Sequence, residues 1–314
     1  MKTVLFYRHY VRFAGHHLKV FDYFNHVLAA PGHTALIRFS RESNLDEADP
    51  WRAFQDHVVH DQEVVQADAY FFSGMDWREL PPDQRRDPHV PVINYVQSIR
   101  HAWPDNLRYA LLGNRAIRIC VSPEVAEAIA ETGLVRGPLF TIQAAIDVSG
   151  VRAARRDERD TDLAILALKE PALGRSLAAR LTRSGRTTRL IDRLVPRAEL
   201  LDTFARSRVT LFLLHREEGK PLPPLEGMVL GTVVVCPDVV GNRSFCLPGV
   251  NSFRPPYEEE AIVDATETAL GEWANLGEML AAAERTVAEH DLPAEREAFL
   301  PILRNLDALW ERDG

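Results

Sequence analysis

Apolar positions along the chain fall into short continuous runs, separated by longer segments in which they recur every three or four residues. Val4–Tyr7, Ala35–Phe39 and Ala69–Phe72 are strand-like runs. Leu18–Ala29 (LKVFDYFNHVLA) has helical spacing between the first two. Pro91–Val96 (PVINYV) and Ala116–Val121 are apolar and β-branched without alternation, the pattern of a parallel strand covered on both faces. After the second of these, Ser122 reads as an N-cap, Pro123 as the first helical residue, Glu124–Thr132 as a helix and Gly133 as its stop. Repeated strand–helix units predict an α/β protein with largely parallel sheets.

The pattern changes near Asp147. Val148–Asp160 is rich in Arg and Asp and poor in large apolar residues, as a connection between domains would be. The alternation then restarts with strand Leu163–Leu168, helix Leu173–Ser184, strand Thr188–Ile191, helix Arg197–Ser207, strand Val209–Leu214, helix Pro224–Leu230 and strand Thr232–Cys236. Glu258–Arg312 reads as helical, with breaks near Asn275 and at Asp291–Pro293. A chain of 314 residues accommodates two domains, 1–150 and 151–314, each able to bury its own core.

Composition narrows the function classes. Apolar residues make up 46% and charged residues 26%, a globular balance. No apolar run approaches the ~20 residues of a membrane span. The opening MKTVLFYRHYVRF meets Arg8, His9 and Arg12 too soon for a signal peptide and reads as a first strand. Cys120, Cys236 and Cys246 have no metal-site spacing, so they are expected as free thiols in a reducing, cytoplasmic setting. A net charge of -8 argues against nucleic acid as the main partner. Residues 152–208 nevertheless hold 14 Lys/Arg against 8 Asp/Glu. That excess suits solvated helix faces, or at most peripheral contact with phosphate or an anionic membrane surface. Residues 1–150 hold 15 Lys/Arg and 18 Asp/Glu, which selects no polyanion.

The densest chemistry lies in Glu218–Met228, EGKPLPPLEGM. It follows strand Val209–Leu214, and open parallel sheets bind ligands at the carboxyl ends of their strands. Pro223 and Pro224 start a helix, and Glu226 falls in its first turn, beside exposed backbone N–H groups. Such a helix start suits a diphosphate, with Glu226 free to accept from a ribose diol and Glu218 from sugar hydroxyls. In isolation the two glutamates could equally be a loop cap and a helix cap.

Glu218-x7-Glu226, followed by Gly231–Val235 and Gly241-Asn242-Arg243, resembles the donor site of retaining GT-B-fold glycosyltransferases of the family-4 group. The resemblance implies two Rossmann-like domains with parallel sheets facing across a cleft, the acceptor on the first and the nucleotide sugar on the second, and a last helix packing back on the first domain. It implies that Glu226 binds the donor ribose, that Glu218 contacts the donor sugar, and that the backbone of Gly219–Leu222 lies against sugar and diphosphate. A cation after the first strand of the second domain would offset the leaving diphosphate. Lys169 is the first candidate and Arg175 the second. In the first domain the family's Gly-Gly loop, which lets the backbone approach the donor phosphates, is matched only by Gly15, and His16 or His17 beside it would hydrogen-bond the donor or the acceptor. A histidine that often follows the strand matching Pro91–Val96 and contacts the donor sugar is replaced here by Gln97, so that catalytic contact falls to His101, one helical turn on, or to Gln97 itself. Asn242 borders the expected donor pocket. Lys220-Pro221 replaces the more usual aromatic-Gly pair.

Other patterns carry less. Asp160-Thr161-Asp162 is a DxD at a strand entry, outside the context in which that motif holds a metal, and no histidine pair has zinc spacing, so no metal and no cofactor beyond a nucleoside diphosphate sugar co-substrate is expected. No GxSxG, P-loop or GxGxxG occurs. The reading is a metal-independent glycosyltransferase acting on a glycan, a lipid-linked sugar or a small-molecule acceptor. The alternatives are a sugar-nucleotide epimerase or hydrolase on the same fold, or a nucleotide-sugar-binding protein with a diverged site.

Overall fold

A computed structural model describes the chain apart from residues 13, 61–62, 148–149, 151–152, 184 and 312–314. Four residues of the expected connection therefore lie outside the described residues. The chain forms two compact units, Met1–Ala144 with Leu292–Gly314, and Ala145–Asp291.

The first unit is built on a six-stranded parallel sheet. Its elements are β1 (Lys2–Arg8), α1 (Gly15–Leu28), β2 (His33–Phe39), β3 (Ala69–Ser73), β4 (Val92–Val96), β5 (Ile117–Cys120), α2 (Pro123–Ala130) and β6 (Leu139–Thr141). The strand order is β2-β1-β3-β4-β5-β6. Alternate residues of a strand face opposite sides, and both sides are covered. Phe6 stacks on Phe71 at 4.5 Å and meets Phe24 of α1 at 5.5 Å. Leu5, Tyr7 and Phe72 pack on the other side with Trp77 and Leu80. That two-sided burial is why PVINYV shows no alternation. Ser122 caps α2 through its Oγ, which accepts from Val125 N–H at 3.3 Å. Gly133, at φ +67°, stands just beyond the helix in a backbone conformation that favours glycine.

The second unit has a four-stranded parallel sheet in the order β10-β9-β7-β8. In chain order it comprises β7 (Thr161–Leu166), α3 (Pro171–Arg183), β8 (Thr188–Ile191), α4 (Arg197–Arg206), β9 (Ser207–Phe212), α5 (Pro223–Val229), β10 (Val233–Val235), α6 (Glu259–Glu272) and α7 (Gly277–Ala288). One face carries Ala164, Phe204, Phe212, Leu225 and Val234, and the other Leu163, Leu177, Leu211, Val233 and Ile262.

The chain ends in α8 (Leu292–Arg304) and α9 (Leu306–Glu311), which belong to the first unit. A buried charge cluster joins α8 to α1. Lys19 Nζ donates to Asp22 at 2.9 Å and to Glu295 at 2.8 Å, and His26 Nε2 lies 3.0 Å from the same Glu295 oxygen. Tyr23 meets Phe299 edge-on at 5.0 Å beside it.

Candidate functional site

In the second unit the carboxyl ends of β7 and β9, neighbours in the sheet, gather several of the sequence candidates. Lys169 and Glu218 line one cavity of about 70 Å³, with Leu166, Leu168, Leu213, Leu214 and Pro223 as its apolar wall. Lys169 is exposed, while Glu218 is half-buried. The Glu218 carboxylate closes its own turn by accepting from His215 N–H at 3.4 Å, and Glu218 N–H donates to the His215 carbonyl at 3.3 Å. A cation and a carboxylate thus stand together over an apolar floor, where charges act more strongly than in bulk water.

Gly219 and Lys220 are buried. Lys220, in the position where the resemblance calls for an aromatic residue, places its Nζ 4.3 Å from the Phe245 ring centroid. Leu222 caps α5, its carbonyl accepting from Glu226 N–H at 3.1 Å, with Pro223 at the first helical position. Glu226 is buried, and its carboxylate pairs with Arg197, the first residue of α4, at 2.6 Å. Gly227 lets α5 lie close on the sheet, since a Cβ there would stand 2.7 Å from Phe212 Cζ.

The loop after β10 fits against this segment. A Cβ on Gly241 would sit 2.1 Å from the Glu218 carbonyl oxygen and 2.5 Å from the Gly219 carbonyl carbon. Asn242 is fully buried. Its Nδ2 donates to the Pro237 carbonyl at 2.9 Å and to Cys236 Sγ at 3.0 Å, and its Oδ1 accepts from Val239 N–H. Its amide therefore shapes the loop. Arg175 lies apart from the cavity and pairs with Asp192 at 2.7 Å.

The first unit brings a second group to the carboxyl edge of its sheet. Gly15 opens α1, and a Cβ there would meet no atom within 4 Å. His16 is exposed and its ring packs on His17 at 4.0 Å. Gln97, just past β4, donates to the His16 carbonyl at 3.3 Å and to Ser73 Oγ at 2.9 Å. Beneath them Arg8 and Asp76 form a buried pair at 2.7 Å, and Arg8 Nη2 donates to His17 Nδ1 at 3.1 Å. Arginine only donates, so that bond puts the His17 proton on Nε2. Burial, with His16, Arg8 and His9 nearby, pushes His17 down to about 3. Burial likewise raises Asp76, to about 6, against the pull of Arg8. His101, in the turn Ile99–Ala102, is buried, and its pKa falls to about 3 through burial and then Arg108 and Arg118. It is a neutral imidazole at neutral pH.

Arg8, Ser73 and Asp76 were not legible as a group. The signal was a charged residue at the end of an apolar strand with a carboxylate just past the neighbouring strand. Arg197 and Gly241 were also missed as partners of Glu226 and Glu218. Another cavity, of about 340 Å³, lies in the first unit between Arg86, Tyr109, Gly113, Asn114 and Leu134, and holds none of the sequence candidates. The DxD carboxylates are taken up at the amino-terminal end of β7, Asp160 by Arg206 and Asp162 by Thr187 and Arg208. Much of the basic excess of 152–208 is likewise paired, as in Arg180–Glu260 and Arg175–Asp192. No helix of the described residues is long and apolar enough to cross a membrane.

No protein-family model matches the sequence, and no curated protein matches it. Solved structures do, over the whole chain. HepE from Anabaena in complex with UDP-glucose superposes with a TM-score of 0.73 at 16% identity, over 98% of this chain and 100% of that one. Sucrose-phosphate synthase from Thermosynechococcus elongatus gives 0.72 at 13%, over 98% and 100%. A glycosyltransferase from Rickettsia africae gives 0.66 at 10%, over 97% and 98%. With two parallel α/β units and these neighbours, the chain has the GT-B fold.

Proposed function

We propose that this protein is a glycosyltransferase that moves a sugar from a nucleoside diphosphate sugar to an acceptor with retention at the anomeric carbon. The observation that carries the reading is the meeting of Lys169 and Glu218 at one cavity on the carboxyl edge of β7 and β9, with Glu226 in the first turn of the following helix. The solved complexes of HepE with UDP and with UDP-glucose support a nucleotide sugar as donor.

In this reading Glu226 accepts hydrogen bonds from the ribose diol while Arg197 holds its other side. Glu218 accepts from sugar hydroxyls, and the backbone of Gly219–Leu222 lies along sugar and diphosphate. The bond from the anomeric carbon to the diphosphate oxygen breaks as the acceptor oxygen bonds to the same face. The acceptor proton passes to the departing diphosphate. Lys169 stabilises the charge that develops there, with Arg175 as a more distant second cation. Asn242 keeps its loop against Glu218 and Gly219. Gly15 and His16 are assigned to the donor by the family resemblance alone, which also gives the first unit to the acceptor. His101, a neutral imidazole in the fold, is the residue that the resemblance offers as a catalytic contact to the donor sugar.

The test is to incubate the protein with a panel of nucleoside diphosphate sugars and follow release of the diphosphate and the anomer of the product. Release from at least one donor, with the donor's anomeric configuration kept, is expected. An absence of release across the panel, or an inverted product, overturns the reading in its general or its stereochemical part respectively.

A further inference from the structure

The sequence balance of the first unit selects no charged partner, but the fold concentrates arginines at one edge. Gly74, at φ +62°, turns the chain directly after β3, and the Arg108 guanidinium lies on that turn, with Nε 3.5 Å from where a Gly74 Cβ would stand. Arg108 is half-buried, and its side chain makes no hydrogen bond or ion pair among the described residues. Burial and the neighbouring Arg100 and Arg78 push its pKa down, while Asp76 alone pulls the other way. Asp76 is already committed to Arg8 at 2.7 Å. Glu79, which also acts on Asp76, is exposed. Arg100, Arg78 and Asp76 are thus the charges that act on Arg108 at this turn, with Asp76 held by Arg8, and the neighbouring His101 is neutral.

A half-buried guanidinium without a paired carboxylate is costly in the free protein, and an oxyanion placed on it relieves that cost. We propose that the acceptor of this enzyme carries an anionic group, a phosphate ester or a carboxylate, and that Arg108 binds it. The inference rests on the glycosyltransferase reading, which gives this edge to the acceptor, and it narrows the acceptor classes that the sequence left open.

The experiment follows the Arg Nε–H signals of the whole chain by NMR while inorganic phosphate is added, with Arg108 assigned by the signal lost in Arg108→Gln. Glucose, glucose 6-phosphate and glucuronate are then titrated as a matched neutral, phosphate and carboxylate series. A saturable shift of Arg108 with phosphate is expected, with one of the charged sugars binding about tenfold or more tighter than glucose, the scale of one charge-assisted hydrogen bond. Arg108→Gln should remove that preference and Arg108→Lys keep part of it, both variants having melting curves close to wild type. Which charged sugar is preferred decides between phosphate and carboxylate. An unmoved Arg108, equal affinity across the three sugars, or a preference that survives Arg108→Gln overturns the proposal. UDP is titrated into the same wild-type sample. If UDP fails to bind, the glycosyltransferase reading fails. If UDP binds and Arg108 ignores phosphate, only the anionic acceptor is lost.

Discussion

Replacing Gly241 by alanine tests how tightly the loop after β10 is fitted to the Glu218 segment. The new methyl carbon would lie 2.1 Å from the Glu218 carbonyl oxygen, and 2.5 and 2.6 Å from the carbonyl carbon and oxygen of Gly219. Carbon and oxygen meet comfortably at about 3.3 Å, so the two backbone segments must part by about 1 Å. Neither clashing partner is a side chain that can rotate away. Overpacking of this kind costs about 1–3 kcal/mol, and a backbone clash belongs in the upper half of that range. For a unit of this size the result is a fall in Tm of about 4–12 °C. The displaced segment carries Glu218 and the amides assigned to the donor, and a 1 Å misplacement of a positioned group lowers a rate by about a hundredfold. The assays are thermal unfolding, calorimetry with UDP, and turnover of a donor sugar. Gly271→Ala in α6 is the control, because a Cβ there meets nothing within 4 Å. A Gly241→Ala protein with the Tm and UDP affinity of wild type would refute the packing argument.

Three further outcomes are expected. Glu295→Ala removes the carboxylate shared by Lys19 and His26, and should cost about 3 kcal/mol in urea unfolding, the low end for a broken buried pair because Asp22 still holds Lys19; a loss under about 1 kcal/mol would count against the cluster. Stability should fall on acidification from about pH 6.5 towards 3, because His17 and His101 stay neutral in the fold down to about 3 while the unfolded chain takes up protons near 6.5. Each histidine contributes up to about 1.4 kcal/mol per pH unit, and Asp76, raised from 3.8 to about 6, opposes them between those values. Urea midpoints at pH 7 and 5 measure the slope, which His17→Gln should flatten. Lys169→Ala should lower kcat about 10²–10³-fold with little change in nucleotide affinity, and equal losses in both would move Lys169 from the leaving group to simple binding.

Local patterns were legible where local physics decides them. Ser122, Pro123 and Gly133 marked the start and stop of α2 because caps and left-handed turns act within a few residues. The parallel strands were visible as unalternating apolar runs. Strand β6 was missed, since its three residues are too few to show a period and none is fully buried. The packing of α8 in the first unit, implied by the resemblance and not by the pattern, joins Lys19 to Glu295, 276 positions apart, a separation that no periodicity reports. Arg118 sits inside the apolar run IRIC, fully buried, because the carbonyls of Leu112, Asn114 and Arg136 accept from its guanidinium. Its place in that strand was legible and its solution was not.

The site divides in the same way. Glu218, Glu226 and Lys169 stand at strand ends or a helix start, positions that sequence spacing fixes. Arg175 reads as an equally good cation in sequence, but Asp192, 17 residues on, takes it. The Arg8–Asp76 pair and the Arg108 cluster join segments dozens of residues apart, so only the folded sheet brings their charges together.

The most direct measurement is calorimetry of nucleoside diphosphates, UDP first, with wild type and Glu226→Ala. Saturable binding to wild type is expected, weakened about tenfold to a hundredfold in Glu226→Ala, the cost of losing hydrogen bonds to a charged acceptor. Binding of no nucleoside diphosphate by wild type, or an unchanged affinity in a folded Glu226→Ala protein, would contradict the assignment of a nucleotide-sugar site to the second unit.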